Sequence, residues 1–466
     1  MIIYDTMQKK KVSLDTLEEG RVGIYLCGPT VYDYAHLGHG RSAIVFDLLR
    51  RYLMHRGYEV IFVRNWTDID DKTIDRAAKE GVSVRELTER FIDIYREDYG
   101  RLNILEPDHA PKPTDHIDDM LGLIQKLFDR GHAYALNDGI YYDISTYGEY
   151  GKLSGQSLDE LRSGARVEVS GEKRNPGDFV LWKFEKPGEP SWESPWGRGR
   201  PGWHIECSVM SLRYLGETFD IHCGGQDLIF PHHEDEVAQS AGAGYGFARY
   251  WMHNGFLNID NEKMSKSLGN FFTLRDIFKK YRPLTVRFFL LSAHYRAPLN
   301  FSEENLQHAG STLKRYNDFI IRVREAAGGP GLPGRDDGEG AGRVGDLVNA
   351  ARKDFEDGLD DDLNISRALA AVAGFVHSVN SLMAENGLSK CEAETALRFM
   401  EEIDEVLGVF TFERGMLPEE IEDLIRERRD ARTAGNYGRA DEIRDELLEQ
   451  GIVLEDTKDG TRWKRV

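Results

Sequence analysis

The chain has 466 residues, with 60 lysines and arginines against 80 aspartates and glutamates, for a formal net charge of -20. This length allows about three domains, and the acidic balance argues against nonspecific nucleic-acid binding, which needs a local basic surface. With only four cysteines we expect no disulfide framework and a cytoplasmic setting. The first residues lack the regions of a signal peptide, and we expect no transmembrane helix.

The first hundred residues predict a βαβ unit of a nucleotide-binding domain. Residues 21–27 predict a buried strand that ends in a turn at Gly28 and Thr30, helical periodicity follows, and residues 59–64 predict a second strand. The helix begins at His36-Leu-Gly-His39, so two imidazoles lie where unpaired N–H groups and the helix dipole favour an anion. We therefore expect His36 and His39 to contact phosphate.

The next segment, residues 113–200, combines a helical stretch with glycine-rich, aromatic, strand-like sequence. A second strand-forming region then follows, in which Asp227 could hydrogen-bond the ribose of a nucleotide or have a structural capping role. His222 is a candidate for assisting substrate placement. Asp68, Asp70 and Asp71 follow a first-half strand at the carboxyl edge of the sheet, where ligands of open parallel sheets bind, but turn-making and helix capping are their plainer roles.

Lys263-Met-Ser-Lys266-Ser forms a second phosphate-binding candidate. Two ammonium groups on one loop, which we expect to be mobile, suit a triphosphate. An isolated H-x-G-H tetrad is a weak signal, because histidine beside glycine is common in turns. The lysine motif is far more specific, and finding both in this order predicts adenylate formation from ATP.

Four potential metal ligands are dispersed along the chain: Cys27, Cys207, His232 and Glu236. His232 and Glu236 are four residues apart and share a helix face, and Pro231 is well placed to start that helix. Two thiolates, one imidazole and one carboxylate can form a zinc shell. The spacing leaves open that the cysteines are small buried hydrophobes. A metalloprotease motif is excluded, because Val237 stands where its second histidine belongs.

The carboxyl-terminal part predicts helices over 303–326 and 344–385, joined by a glycine-rich connection, and then a separable tail from about 418. The tail predicts two charged helices and a small hairpin. Trp463, flanked by Arg462 and Lys464, could stack on an RNA base or simply pack on the preceding helix. For the basic clusters of the tail, a solvated helix face is the plainer interpretation.

Five segments together resemble the cysteinyl-tRNA synthetases, a family of class I aminoacyl-tRNA synthetases: residues 27–33, 66–72, 202–207, 230–234 and 263–270. The resemblance covers nearly the whole chain. It implies an α/β fold in which a Rossmann-like parallel-sheet catalytic domain, residues 1–112 and 201–302, carries a connective insertion, residues 113–200. A helical bundle, residues 303–417, and a small α+β anticodon-binding module, residues 418–466, would follow.

The resemblance also implies the reaction, in which L-cysteine and ATP give cysteinyl adenylate and the cysteine passes to tRNA(Cys). The enzyme would be a cytoplasmic monomer that uses Mg2+ with ATP and one Zn2+ per subunit, with the substrate thiolate as an additional zinc ligand. Cysteine and serine differ by one atom, which shape alone separates only about 10 to 200-fold, whereas a borderline-soft metal distinguishes thiolate from alcohol more strongly.

Residue roles follow from the same resemblance, together with the motifs. The expected catalytic residues are His36, His39, Lys263 and Lys266. The expected zinc ligands are Cys27, Cys207, His232 and Glu236. The expected substrate and ATP contacts are Gly28, Thr30, Thr67, Trp203, His222, Asp227 and Lys266, and the expected tRNA contacts are Arg462, Trp463 and Lys464.

Three other functions stay open on the sequence. A cysteine ligase of the same descent would join the adenylate to an amino sugar, and only its acceptor separates it from a tRNA ligase. A catalytically idle RNA-binding paralogue is disfavoured by the intact motifs. The third is a purely structural zinc protein.

Overall fold

The amino-terminal residues form an antiparallel hairpin of β1 (Ile2–Asp5) and β2 (Lys10–Ser13). The structure is a computed structural model, which describes residues 1–156, 172–259, 262–263, 272–328, 342–412, 419–433, 435–449, 452–457 and 460–465.

The predicted βαβ unit follows the hairpin. It consists of β3 (Arg21–Leu26), α1 (Leu37–His55) and β4 (Glu59–Arg64), and the two strands pair in parallel. Side chains of β3 alternate between the two faces of the sheet, with Ile24 on the side of α1 and Tyr25 on the other. Two helices follow, α2 (Asp71–Glu80) and α3 (Val84–Arg101).

The segment after residue 113 folds as a small layer of its own. It contains α4 (Ile117–Asp129), β5 (Ala133–Leu136), β6 (Gly139–Tyr142), β7 (Phe179–Phe184) and β8 (Gly199–Pro201). The strands form an antiparallel sheet in chain order, and Trp182 is fully buried in its core. Asp71, the first residue of α2, holds this layer through ion pairs with Lys183 and Arg200.

The chain then returns to the central sheet through α5 (Trp203–Leu215), β9 (Thr218–Gly225), α6 (Glu234–Ala243) and β10 (Phe247–Asn254). The parallel sheet has the order β10-β9-β3-β4, with α1 on one face and α5 on the other. Connections leave β3 and β9 in opposite directions, and such a switch point opens a ligand crevice. The predicted α/β fold is therefore confirmed.

The start of α6 differs from the expectation that Pro231 begins it. The α-helix begins at Glu234, after a separate five-residue helical turn, Ile229–His233. Phe230 has extended backbone angles (φ -135, ψ 132), which a regular helix through this point cannot accommodate. His232 therefore precedes the helix that carries Glu236.

A second small sheet lies beside the central one. It consists of β11 (Leu257–Ile259), β12 (Glu262–Lys263) and β13 (Leu299–Phe301), with β11 in the middle. Between β12 and β13 are α7 (Leu274–Phe278) and α8 (Pro283–Leu291). Lys263 is described only as the last residue of β12, and Lys266 lies outside the described residues.

The bundle contains α9 (Glu303–Ala326), α10 (Gly342–Asp360), α11 (Ile365–Asn386) and α12 (Lys390–Leu407). The bounds of α9 are those predicted. The helix-forming stretch 344–385 contains two helices, because Asp362 and Leu363 have left-handed backbone angles (φ 60 and 52), which end a helix.

By length and composition alone, residues 365–385 of α11 could cross a membrane, contrary to the expectation that no stretch approaches such a helix. The high hydropathy reflects the alanine-rich sequence of a bundle helix. Its residues Ala368, Val372, Phe375 and Val379 are buried in the core that the bundle shares with the central sheet.

The tail contains α13 (Glu419–Thr433), α14 (Tyr437–Glu449) and an antiparallel hairpin of β14 (Ile452–Thr457) and β15 (Gly460–Arg465). Two helices and a hairpin agree with the sequence pattern. The tail has a separate small core, formed by Ile443, Leu447, Ile452 and Leu454.

Candidate active site

The floor of the crevice is formed by the loops that follow β3 and β4. The Gly28 backbone N–H donates to Asn65 Oδ1 over 2.8 Å, and a Cβ on Gly28 would lie 1.6 Å from the Asn65 carbonyl oxygen, so only glycine fits. Thr30 and Thr67 face each other in a parallel bridge. These contacts bring together Gly28, Thr30 and Thr67, three of the predicted substrate contacts, and place Asn65 beside them, which the sequence analysis did not single out.

The four predicted metal ligands meet at the carboxyl end of β3. Their ligand atoms all lie within 4.8 Å of one another. Cys27 Sγ is 3.5 Å from Cys207 Sγ and 3.6 Å from Glu236 Oε1, and His232 Nε2 is 3.3 Å from the same carboxylate oxygen. Residues that are dispersed along the chain thus form one compact donor set.

The electrostatics of this donor set favour a bound cation. Burial raises the pKa of the Cys27 thiol well above its usual value, and the adjacent Cys207 and Glu236 raise it further. Burial likewise raises the pKa of Glu236 and lowers that of His232. Because three acidic groups in contact cannot all ionise without compensation, a divalent cation would be needed to hold them as thiolates and carboxylate. The donor chemistry fits zinc.

A second histidine, which itself contacts an aspartate, orients the imidazole of His232. Its Nδ1 lies 2.9 Å from Nδ1 of His204, and Nε2 of His204 lies 3.3 Å from Asp235. An imidazole that binds a metal commonly has its second nitrogen held in this way. The Trp203 ring stacks on His232 with centroids 4.1 Å apart and is 37% exposed, so it forms a solvent-facing wall.

A second group of donors overlaps the first: Cys27, His222, His233 and Glu236 also have ligand atoms within 4.8 Å of one another. His222 Nε2 is 2.9 Å from Glu236 Oε2, and His233 Nε2 is 3.3 Å from Cys27 Sγ. His222 is fully buried behind Glu236. His233 was not predicted, and its only signal in the sequence is its position beside His232.

The tetrad histidines lie half-buried at the start of α1. His36 Nδ1 accepts the backbone N–H groups of Gly38 and His39 over 3.1 and 3.3 Å. His39 Nδ1 is 3.4 Å from the backbone N–H of His36 and 3.1 Å from the Tyr95 hydroxyl. Because each Nδ1 accepts, each neutral ring carries its proton on Nε2. Both rings can then donate a hydrogen bond to an anion.

The remaining predicted residues are Asp227 and three residues of the tail. Asp227 is exposed on the turn Gln226–Leu228, directly after β9. Arg462, Trp463 and Lys464 lie in β15, where Trp463 pairs with Leu454, and their side chains lie outside the described residues.

Three family models match the chain. One described as the class I (C) tRNA synthetase catalytic domain matches residues 13–311. A DALR domain matches residues 354–411, and a cysteinyl-tRNA ligase anticodon binding domain matches residues 414–463.

Named relatives align with this chain over its full length. The cysteine–tRNA ligase of Geobacter sulfurreducens is 48% identical over 482 residues, covering 99% of both chains. That of Thermococcus onnurineus is 49% identical over 471 residues, covering 100% of this chain and 99% of its own. Among solved structures, Mycobacterium tuberculosis methionyl-tRNA synthetase bound by methionyl-adenylate superimposes with a TM-score of 0.65 at 16% identity, covering 83% of this chain and 92% of that one. At this identity the likeness concerns the fold.

Proposed function

The chain belongs to the cysteine–tRNA ligase family of class I aminoacyl-tRNA synthetases, and from this premise we propose that it attaches L-cysteine to tRNA(Cys) through a cysteinyl adenylate. One observation carries the proposal. The donor set around Cys27 lies at the carboxyl end of β3, and the next helix of the chain begins at His36. A donor set suited to a thiol and a helix start suited to phosphate thus follow the same strand.

In the first step the cysteine carboxylate attacks the α-phosphorus of ATP, and pyrophosphate leaves. His36 and His39 donate Nε2–H to phosphate oxygens, and these hydrogen bonds are strongest as the α-phosphorus becomes pentacoordinate. Lys263 and Lys266 add positive charge, and Mg2+ accompanies the ATP. In the second step a terminal ribose hydroxyl of the tRNA attacks the activated carbonyl, and AMP leaves.

We assign Cys27, Cys207, His232 and Glu236 to hold one Zn2+ per subunit. When bound, the metal favours a thiolate over an alcohol, which selects cysteine over serine. This set is preferred to the overlapping one because it has two thiols instead of one. Its His232 also stacks on the partly exposed ring of Trp203.

The substrate contacts are assigned around this cluster. Trp203 walls the cysteine pocket, and Gly28, Thr30 and Thr67 line its floor. His222 assists placement by holding Glu236, and Asp227 is assigned to the ribose of ATP.

The remaining assignments concern the tRNA and the setting. We assign residues 303–417 to the helical bundle and residues 418–466 to anticodon recognition, with contacts from Arg462, Trp463 and Lys464. The enzyme acts as a cytoplasmic monomer.

The deciding experiment is ATP–pyrophosphate exchange with cysteine, serine or alanine, followed by transfer to tRNA(Cys) or to an amino sugar. We expect exchange with cysteine, poor exchange with serine, and transfer to tRNA. Equal adenylation of serine and cysteine would contradict selection of the thiolate. Transfer to the amino sugar instead of tRNA would favour the rival ligase.

A further inference from the structure

Arg41 follows His39 by two residues on α1 and has no part in the proposed chemistry. Its side chain is 1% exposed and donates to three backbone carbonyls, those of Phe256 (2.6 Å), Tyr295 (3.3 Å) and Ala297 (2.5 Å). Among the described residues no carboxylate pairs with it, and its Nε–H has no hydrogen-bond partner. Within the described part of the chain, this buried cation is held by carbonyl dipoles.

The three carbonyls belong to two segments that support the lysine motif. Phe256 immediately precedes β11, which pairs with β12, the strand that ends at Lys263. Residues 295–297 precede β13, which pairs with β11 on its other side. The two segments touch, because the Gly255 N–H donates to the Tyr295 carbonyl over 2.8 Å. One guanidinium therefore ties the helix of the tetrad to both segments around Lys263.

This arrangement is energetically expensive. A buried charge without a counter-charge costs free energy unless its hydrogen bonds compensate. Burial lowers the pKa of Arg41 to about 10, so the group stays protonated at neutral pH. The planar fork of arginine reaches divergent carbonyls that the single ammonium of lysine cannot hold together. This free-energy cost is consistent with a functional requirement for a fixed geometry of these segments.

The segment 295–297 is also held from the bundle. Asp362, fully buried in the turn between α10 and α11, accepts the Tyr295 hydroxyl over 2.7 Å and Arg296 Nε over 2.9 Å. The segment thus lies between Arg41 on the catalytic side and Asp362 on the bundle side. Replacement of either Arg41 or Asp362 would therefore shift the same backbone carbonyls.

We propose that Arg41 is a positioning residue for adenylate formation, which fixes the tetrad histidines relative to the strand that leads into the lysine motif. The inference rests on the proposed function, since it assumes that both motifs bind ATP. Arg41 itself contacts no substrate.

The test uses Arg41→Lys in the full chain, because lysine keeps the charge and loses the fork. We expect kcat of cysteine-dependent pyrophosphate exchange to fall about 100-fold, the scale of a small misplacement of reacting groups. The KM for cysteine and the zinc content should stay near wild type, because the donor set around Cys27 does not touch Arg41.

Arg287→Lys is the matched control. Arg287 is also fully buried and donates to three backbone carbonyls, those of Leu407, Leu102 and Asn103, besides pairing with Asp47. Its replacement should lower the melting temperature at least as much while leaving kcat near wild type. An equal loss of kcat in both variants would overturn the inference, because general destabilisation would then explain it. So would an unchanged kcat in folded Arg41→Lys.

Asp362→Asn provides a second variant that disturbs the same segment and serves if Arg41→Lys does not fold. We expect a smaller loss of kcat in this variant. A wild-type kcat would contradict a role for residues 295–297 in linking Arg41 to the lysine motif.

Calorimetric binding of Mg-ATP without cysteine separates this inference from the proposed function. The affinity should fall in Arg41→Lys and not in Arg287→Lys. A wild-type protein that binds Mg-ATP but shows no cysteine-dependent exchange would contradict the proposed function, and the ATP affinities would then decide the role of Arg41.

Discussion

The hydroxyl of Tyr95 lies 3.1 Å from Nδ1 of His39, on the ring nitrogen that also faces the backbone N–H of His36. Two donors on one nitrogen hold the neutral ring in a single tautomer, with its proton on Nε2. Tyr95 comes from α3 and is 1% exposed. The donor that the proposed mechanism requires is therefore set by a residue 56 positions away in the chain.

Tyr95→Phe should lower kcat of pyrophosphate exchange about 2 to 10-fold, the equivalent of one hydrogen bond, with the KM for cysteine unchanged. Tyr99→Phe is the control, since Tyr99 lies one turn further on α3, is equally buried, and packs edge-on against Tyr95 with centroids 5.6 Å apart. Equal effects of the two substitutions would mean that packing, and not the tautomer, matters.

His39→Ala should lower cysteine-dependent exchange about 100 to 1000-fold, the usual effect of removing one donor to a developing charge. The fold should persist, because His36 caps α1 through its own side chain. Circular dichroism and metal content would establish that the variant is folded and loaded. Near-normal exchange in that protein would remove His39 from the mechanism.

Cys207→Ser should reduce bound zinc and weaken cysteine binding much more than ATP binding, because a hydroxyl is a poorer ligand for a borderline-soft metal. Metal analysis and calorimetry measure the two effects. Cys223→Ala is the control, since Cys223 is equally buried in β9 and belongs to neither candidate donor group. Stoichiometric zinc with unchanged cysteine affinity in Cys207→Ser would show that the assigned ligand set is wrong.

The stability of the protein should fall in mild acid, partly through His253. Burial lowers the pKa of His253 to about 3, below the value of about 6.5 in an unfolded chain. The unfolded state then binds more protons, so the contribution to the free energy of unfolding is complete above about pH 6.5 and is lost as the pH falls toward 3. Between pH 7.5 and 5 the loss from this group should be roughly 2 kcal/mol.

Urea denaturation of wild type and His253→Gln at both pH values would measure this contribution. The variant loses the hydrogen bonds that His253 makes with Thr6 and His233, so only the difference between the two pH values is informative. That difference should be smaller in the variant. Equal pH dependence would show that His253 does not titrate as its burial predicts.

Removal of residues 418–466 should preserve cysteinyl-adenylate formation and strongly impair charging of tRNA(Cys). The tail has its own small core, so its loss need not disturb the catalytic half. Within the full chain, Trp463→Ala should weaken tRNA binding by roughly 1 to 3 kcal/mol if the ring holds a base. Full charging by a folded truncated protein would exclude the tail from tRNA recognition.

Local patterns in the sequence were enough to predict much of the fold. The βαβ unit around His36, the helix α9 and the two helices and hairpin of the tail follow from periodicity and turn residues, which act over a few positions. The position of the break within residues 344–385 was not predicted, because the turn at Asp362 is stabilised by contacts with Tyr4 and Tyr295 in distant parts of the chain. Periodicity carries no information about such contacts.

The sequence by itself determined which chemical groups are available: the tetrad histidines, the lysine motif, and the thiols, imidazole and carboxylate of a possible metal site. Only the tertiary structure decided how these groups meet. It brought Cys27 and Cys207 to 3.5 Å across 180 residues, placed Tyr95 on His39, and buried Arg41 against carbonyls more than 200 positions away. The hydrogen bonds of Arg41 join a side chain to backbone carbonyls, which every residue type carries, so residue identity alone cannot specify the partner.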